Sequence, residues 1–399
     1  MPLMAGCRKE PDSARTADDA VEADGNPTDD ATPVQASQLD LDAGPRPVPS
    51  PEDAWPLARG DTLAGGIAGS SLPEEPELLW KVTTERGWYE TTPVIADGTV
   101  FIGSTNGFMY ALSLEDGEEL WKFETDLGFS GAASYRDGLV YAGDYDGFFY
   151  AWDAKTGEEV WSFDSESEVF QGCNFYGENL IFGSGYGYLY CLDAKTGELN
   201  WKWLSEDQIQ CFPTIVEDRA FVAGCDGRLH IINLKDGKER GFVELGAPTG
   251  SSPAVLGNFL FVGTEGQELL AIDWKEERTV WSYRSPGRRQ GSFWGGAAIT
   301  DDVIYIGSLD QRLHAVNPAD GSPIWTFATQ GDIEGSPVLV GDRIFFGSND
   351  GSVYAVDCQS GNATWQYETN GRLLESPAVA EERLVIADDD GTVYCFGEK

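Results

Sequence analysis

The stretch Phe101-Ile102-Gly103-Ser104-Thr105-Asn106-Gly107-Phe108-Met109-Tyr110 decides the fold, because its pattern occurs eight times in the chain. The position of Gly107 recurs at residues 147, 187, 227, 267, 311, 351 and 391, so six of the steps are 40 residues and one is 44. A fixed period of this length is typical of repeat architectures in which each repeat is one supersecondary unit.

Each repeat contains short runs of alternating apolar and polar residues, separated by turn pairs such as Asp97-Gly98 and Asp146-Gly147. This alternation indicates antiparallel strands joined by tight turns, and it is not a helical period. A tryptophan recurs near the end of the repeats, at Trp121, Trp161, Trp201, Trp281, Trp325 and Trp365, and Gly241 replaces it once. Four short strands in each 40-residue unit predict a β-propeller.

The two ends of the repeat region predict how the ring closes. The last repeat stops at Phe396-Gly397-Glu398-Lys399, before its tryptophan strand, and a spare tryptophan strand around Trp80 precedes the first repeat. We therefore expect an all-β, eight-bladed β-propeller of four-stranded antiparallel blades over residues 78–397. The N-terminal strand completes the last blade, which removes exposed sheet edges, and the propeller is expected to be monomeric.

The residues before the propeller differ from it in composition. Residues 8–53 contain 12 acidic and 4 basic residues, seven prolines and no aromatic residue, which predicts a disordered acidic tether. Residues 54–77 form a lead-in segment. Met4-Ala5-Gly6-Cys7 resembles the lipobox of bacterial lipoproteins, so residues 1–7 are interpreted as the remnant of a lipoprotein signal with Cys7 as the lipid attachment site. A secretory signal needs a charged start and an apolar stretch, so either the true start lies upstream of Met1 or Cys7 is incidental.

The charge of the chain limits its partners. There are 27 Lys and Arg against 67 Asp and Glu, a formal net charge of −40, which disfavours a nucleic-acid partner held by phosphate contacts. The same charge argues against docking on an anionic membrane surface through the protein itself. Because the chain has only 2 histidines, a histidine-rich metal site is not expected.

Blade motifs indicate a family. Ala151-Trp152-Asp153-Ala154-Lys155-Thr156-Gly157 followed by Trp161 resembles the tryptophan-docking motif of pyrroloquinoline-quinone (PQQ) type propellers, and looser versions extend the resemblance over residues 78–397. One branch of that family comprises PQQ-dependent alcohol dehydrogenases, which are longer and of which many carry two adjacent cysteines. The other is the BamB-like branch of non-enzymatic lipoproteins that help to assemble outer-membrane proteins. None of the 7 cysteines here adjoin.

The resemblance therefore implies a non-enzymatic, BamB-like protein-binding scaffold without a cofactor, located in the cell envelope as an outer-membrane lipoprotein facing the periplasm. Two alternatives stay open. One is a PQQ-dependent dehydrogenase-like redox enzyme, and the other is a propeller that binds a carbohydrate or another ligand.

Candidate partner-binding residues lie in the loops that enter the blades. One repeat position is apolar in seven of the eight copies, which predicts packing, whereas the next has no common chemistry, as expected at a channel mouth or in solvent. Its members are Glu90, Ser130, Phe170, Gln210, Gly250, Trp294, Glu334 and Leu374. From this set we select Glu90, Phe170, Gln210, Trp294 and Glu334 as candidates for partner binding.

The sixth repeat contains the four-residue insertion, which brings Arg284, Arg288 and Arg289 near Trp294. Arg and Trp are enriched at interface hot spots, so this loop is the leading partner-contact hypothesis. The alternative is that the arginines pair with neighbouring acidic turns.

Other conspicuous residues have structural interpretations. His230 and His314 occupy the position of Tyr110 and are expected to pack between blades. Arg59-Gly60-Asp61 is interpreted as a chance triplet. Cys211 and Cys225 are expected on the same face of one blade, where an exported protein could join them in a disulfide, the alternative being free buried thiols.

Overall fold

The computed structural model describes residues 39–84, 89–286, 289 and 291–399. These residues form 32 β-strands in eight four-stranded sheets, and the blades are arranged in a ring. The predicted all-β, eight-bladed propeller is confirmed. Within the described ranges, no helix has the length and apolar character needed to cross a membrane.

Strand β1 (Glu77–Thr83) precedes the first full blade, and the remaining strands follow in chain order with the same four-strand rhythm. In the first four blades they are β2 (Val94–Ala96), β3 (Thr99–Gly103), β4 (Phe108–Ser113), β5 (Glu119–Glu124), β6 (Ser134–Arg136), β7 (Leu139–Gly143), β8 (Phe148–Asp153), β9 (Glu159–Asp164), β10 (Asn174–Tyr176), β11 (Asn179–Gly183), β12 (Tyr188–Asp193), β13 (Leu199–Leu204), β14 (Thr214–Val216), β15 (Arg219–Ala223), β16 (Arg228–Asn233) and β17 (Glu239–Glu244). In the last four they are β18 (Ala254–Leu256), β19 (Phe259–Gly263), β20 (Leu269–Asp273), β21 (Arg278–Tyr283), β22 (Ala298–Ile299), β23 (Ile304–Ser308), β24 (Arg312–Val316), β25 (Pro323–Ala328), β26 (Val338–Val340), β27 (Arg343–Gly347), β28 (Ser352–Asp357), β29 (Ala363–Glu368), β30 (Ala378–Ala380), β31 (Arg383–Ala387) and β32 (Thr392–Gly397).

The ring closes as the ends of the repeat region predict. β1 pairs antiparallel with β32, with Trp80 opposite Cys395, so the last blade has the order β1-β32-β31-β30. The N-terminal strand is therefore the outer strand of the eighth blade, and no blade depends on a neighbouring molecule to complete its sheet.

Burial decreases from the channel outward. The innermost strand of the first blade, β2, is buried at all its residues, whereas the outer strand β5 alternates between buried and exposed positions. The core consists of layers between adjacent blades, such as the stacked rings of Phe149 and Phe182, whose centroids lie 4.0 Å apart. Aromatic residues suit these layers because each buries a large apolar area.

The recurring tryptophan joins each blade to the next. Trp121 donates its Nε1–H to the Ala154 carbonyl at 2.9 Å and covers the turn at Gly157, which has a φ of 71°. A Cβ at Gly157 would lie 2.7 Å from the indole, so this turn requires glycine for both space and backbone conformation. Where Gly241 replaces the tryptophan, the facing turn residue is Glu277, whose φ is 53°. A side chain is accommodated there because the indole is missing.

The interpretation of residues 8–53 as a tether requires a correction at its C-terminal end. Residues 8–38 lie outside the described residues, but residues 39–53 contact the propeller. Leu39 and Leu41 pack against a core cluster, Pro45 accepts a hydrogen bond from Gly257 at 2.7 Å, and Arg46 forms an ion pair with Asp301. The two leucines supply apolar area for packing, although the average composition of residues 8–53 is strongly polar. The prolines suit a segment that packs without donating backbone hydrogen bonds.

Candidate functional site

The lead-in segment closes the lower end of the central channel. We call the face with the turns between first and second strands the lower face, and the face with the loops that enter the blades the upper face. Residues 50–70, the plug segment, contact the innermost strands around the channel. Trp55 forms a two-way bridge with Ile95, at 2.7 and 3.1 Å, and is completely buried.

The plug segment satisfies a ring of backbone donors. In six of the eight innermost strands, the residue at one equivalent repeat position donates its N–H to a plug carbonyl at 2.8–3.1 Å. The pairs are Ile95 to Trp55, Tyr135 to Pro56, Ile215 to Thr62, Val255 to Leu63, Ile299 to Gly65 and Leu339 to Gly66. Buried N–H groups without partners are costly, so the plug completes the channel lining.

Arg59 lies at the upper surface of the plug segment and is only 3% exposed. Its Nη2 donates to the Ala297 carbonyl at 2.7 Å and to the Pro337 carbonyl at 3.4 Å. Its Nε–H has no hydrogen-bond partner among the described residues. Burial lowers the pKa of Arg59 to about 10, although the nearby Asp61 charge works in the opposite direction.

Above Arg59 the channel opens as a funnel with a cavity volume of about 160 Å³. All eight residues that the sequence placed at a channel mouth or in solvent line this funnel, namely Glu90, Ser130, Phe170, Gln210, Gly250, Trp294, Glu334 and Leu374. The preceding repeat position, from Tyr89 to Leu373, is buried in every blade. The rigid blades therefore bring chemically different loop residues to one site.

One side of the funnel is acidic. Glu334, Glu375 and Glu90 come from the seventh, eighth and first blades, which are adjacent in the ring. Burial raises the pKa of Glu375 to about 8, and the charges of Glu334 and Glu90 raise it further. The Thr92 hydroxyl donates to the Glu375 carboxylate at 3.3 Å and acts in the opposite direction. Burial also raises the pKa of Glu334, whose carboxylate accepts a hydrogen bond from Asn349.

The rest of the funnel wall is aromatic and amide-bearing. Phe170, Gln210 and Trp294 come from the third, fourth and sixth blades, and a Cβ at Gly250 would lie 3.0 Å from the Trp294 indole. Tyr145 also lines the funnel and donates its hydroxyl to Glu90 at 3.1 Å. The funnel thus has an anionic wall, an aromatic wall and a cationic floor.

The arginine loop of the sixth repeat lies on the upper face. Arg284 forms an ion pair with Glu268 at 3.0 Å and Arg289 with Asp332 at 2.8 Å, so both pair with neighbouring acidic residues. Their side chains are still 57% and 54% exposed. Arg288 lies outside the described residues.

The predicted disulfide between Cys211 and Cys225 is wrong. Cys211 is a free, buried thiol whose Sγ accepts a hydrogen bond from the Ala223 N–H at 3.0 Å. Cys225 lies in the upper turn, where its Sγ is 3.7 Å from the Gln208 side-chain oxygen. The two residues share a blade and a face, but the Cys211 thiol is buried against the second strand of the blade, at Ala223.

The two histidines are interblade residues, as predicted. His230 is hydrogen-bonded to Asp226 at 2.6 Å and to Glu239 at 2.7 Å, and His314 to Asp310 at 3.1 Å and to the Tyr283 hydroxyl at 2.9 Å. In the seventh blade a tyrosine uses the same turn position, since Tyr354 donates its hydroxyl to Asp350 at 2.8 Å. In the parts of the chain that the structure describes, no group of three or more His, Cys, Asp or Glu residues could hold a metal ion.

The upper edge of the third blade carries exposed apolar residues that sequence reasoning missed. Tyr186 is 65% exposed where other blades have Asn106 or Asp146, and Leu204 is 54% exposed where others have Glu124 or Asp164. Comparing the eight repeats position by position could have revealed both residues. Arg59 and Glu375 were missed as well, because the plug segment has no repeat partner and Glu375 lies one position beyond the set compared.

Comparison with known proteins agrees with this architecture. A family model described as outer membrane protein assembly factor BamB matches residues 72–203, 151–240 and 284–398. The outer membrane protein assembly factor BamB of Marinobacter adhaerens is 24% identical over 110 residues, which span 28% of this chain and only 27% of that relative.

Among solved structures, BamB from Moraxella catarrhalis superposes with a TM-score of 0.69 at 20% identity, covering 81% of this chain and 100% of that one. Quinohemoprotein alcohol dehydrogenase from Comamonas testosteroni superposes with a TM-score of 0.74 at 15% identity, covering 87% and 81%. At these identities the superpositions show the fold alone. Because the family model matches well over half of the chain, the protein belongs to the family described as outer membrane protein assembly factor BamB.

Proposed function

We propose that the protein is a non-enzymatic, protein-binding scaffold of the bacterial cell envelope that takes part in outer-membrane protein assembly. Family membership supports the assembly role, since the matched relatives carry that role in their names. We further propose that the propeller acts as a monomer facing the periplasm, attached to the outer membrane through a lipid on Cys7.

The observation that carries protein binding is the exposed apolar pair on the third blade. Tyr186 and Leu204 stand on the upper face at positions where most of the other blades carry acidic or amide residues. Leu204 is paired in register with Tyr188, two residues beyond Tyr186. Exposed aromatic residues beside a polar rim are typical of interface hot spots. The arginine loop on the sixth blade and the funnel residues lie on the same face and extend this surface.

The dehydrogenase alternative fits the funnel poorly. PQQ carries three carboxylates, whereas the funnel wall presents Glu90, Glu334 and Glu375. Arg59, the cation at the floor, uses its Nη2 for backbone carbonyls and offers only its Nε–H to a ligand, which does not balance three carboxylates. Like charges in a poorly hydrated site repel strongly, so these residues do not fit the cofactor, and we assign no redox step to the protein.

Partner capture from native envelopes tests the proposal. In the double variant Tyr186→Asp, Leu204→Glu, the third blade receives the residue types that other blades carry, and the amount of co-purified partner should fall at least about tenfold. The free energy of unfolding should change by less than about 0.5 kcal/mol because both sites are exposed. Ile324→Glu, at a 47% exposed position on the outer strand of the sixth blade, is the matched control. Unchanged capture in the double variant would reject this surface as the binding site.

A further inference from the structure

Glu375 and Glu334 lie in the wall of the funnel, and other acidic groups act on both of them. The charges that act on Glu375 are those of Glu334 and Glu90, and its one hydrogen bond among the described residues comes from Thr92. Glu334 is near Arg372, but Asp332 and Glu90 act on it in the opposite direction. Carboxylates gathered in a partly desolvated site favour a bound cation.

The floor of the same funnel lacks a hydrogen-bond acceptor. Arg59 is almost completely buried, and its Nε–H has no partner among the described residues, while its Nη2 is bonded to carbonyls. A buried donor left without an acceptor costs free energy that a ligand oxygen would recover. Nε would lie 3.1 Å from a Cβ at Gly296, which itself lines the funnel, so the donor is next to the cavity.

The aromatic wall suits the remainder of such a ligand. Trp294, Phe170 and Tyr145 line the same cavity as the glutamates and offer ring faces to an alkyl chain or a cation. A cavity of about 160 Å³ accommodates a side chain or a small molecule and not a folded domain.

We propose that the funnel is a binding site for an alkylammonium group accompanied by a hydrogen-bond acceptor, carried either by a free lysine-like amine or by a lysine residue of a protein. The ammonium group lies against Glu334 and Glu375, the alkyl chain packs on Trp294, and the acceptor approaches Arg59. The site is separate from the exposed apolar pair on the third blade, so it can fail while the proposed protein contact stands.

Isothermal titration calorimetry on the purified chain tests this assignment. The probes are L-lysine and the peptide acetyl-Gly-Gly-Lys-Gly-Gly-amide, each compared with its norleucine counterpart, which keeps most of the alkyl chain and lacks the side-chain ammonium group. Both lysine probes supply a carbonyl or carboxylate oxygen for Arg59. At least one should bind saturably, with the norleucine compound at least about tenfold weaker. Binding of the peptide alone assigns the site to a protein side chain, and binding of lysine alone assigns it to a free amine.

Matched variants locate the ammonium group. Glu375→Gln and Glu334→Gln should each weaken binding of the lysine probe about tenfold or more, because each removes a partly desolvated charge partner. Glu115→Gln, an exposed site on the lower face, should leave the affinity unchanged. The proposal is overturned if neither lysine probe saturates by about 10 mM, if norleucine binds equally well, or if both glutamine variants retain full affinity.

The pH dependence adds an independent readout. The cation favours the ionised form of Glu375, whose pKa is about 8, so affinity should rise as the pH is raised towards that value. Binding near neutral pH should release protons, measurable as a dependence of the binding heat on buffer ionisation enthalpy. The other charged or titratable groups facing this carboxyl are Glu334, Glu90 and Tyr145, and Glu375→Gln should remove most of the proton release. Binding without proton release would contradict the placement of the cation at Glu375.

Discussion

The boundary between the fourth and fifth blades lacks the common tryptophan contact, because Gly241 replaces the tryptophan and Glu277 replaces the glycine of the facing turn. Restoring both residues tests this explanation. At six other blade boundaries an indole covers a glycine turn and donates to a backbone carbonyl at 2.9–3.1 Å. At this boundary a Cβ on Gly241 would lie 2.5 Å from the Glu277 carboxylate. Gly241→Trp alone therefore cannot dock, whereas Gly241→Trp with Glu277→Gly should recreate the common contact.

The expected size of the effect follows from the interactions that a docked indole makes. It donates one hydrogen bond, worth about 1 kcal/mol, and buries a large aromatic side chain, worth about 1.5–3 kcal/mol. Glu277→Gly alone relieves a positive φ but increases the freedom of the unfolded chain, so its net effect should be within about 1 kcal/mol. We expect the two substitutions to couple favourably by about 2 kcal/mol in the free energy of unfolding.

Urea unfolding of the wild type, the two single variants and the double variant measures this coupling. A matched cycle at the boundary between the first and second blades uses Trp121→Gly and Gly157→Glu. Each single substitution should lower the free energy of unfolding, and the double variant should lose less than the sum of the two single losses. Effects at Gly241 and Glu277 that add within about 0.5 kcal/mol would refute the steric explanation.

The remaining predictions concern single sites. His230→Tyr tests the pKa of His230, which burial would lower but which Asp226 and Glu239 hold above its ordinary value. The stabilisation is complete below about pH 6.5 and is lost as the pH rises through the higher folded value. The difference in urea stability from the wild type should therefore change as the pH is raised above about 6.5, and a constant difference would contradict the assignment. Arg59→Met should cost about 2–4 kcal/mol in urea unfolding, because buried carbonyls lose their donor, and a cost below about 1 kcal/mol would argue against a closed channel floor. Burial raises the pKa of the Cys211 thiol to about 12, so mass spectrometry should find it alkylated by iodoacetamide only after unfolding, and rapid native labelling would contradict its burial. Arg289→Ala breaks an exposed ion pair and should change the unfolding free energy by less than about 1 kcal/mol while reducing partner capture; full capture would remove the arginine from the contact surface.

The repeat made the fold predictable, because the 40-residue period carries the strand pattern, the tryptophan positions and the spare strand at Trp80. It also placed the funnel residues, since the variable position from Glu90 to Leu374 has the side-chain diversity of a channel mouth. Arg59 could not be found this way, because the plug segment occurs once and its contacts are made by backbone carbonyls. The failed cysteine pairing shows the same limit, since a shared face of a blade does not fix the direction of a side chain.

Partner contact on the upper face of the third blade is the central claim, and site-specific photo-crosslinking in native envelopes tests it most directly. A photoreactive amino acid is placed at Tyr186, at Leu204 and, as a control, at Ile324, and the crosslinked products are identified by mass spectrometry. We predict the same envelope protein at the first two positions and none at the third. Crosslinking at Tyr186 and Leu204 no stronger than at Ile324 would contradict the proposed binding surface.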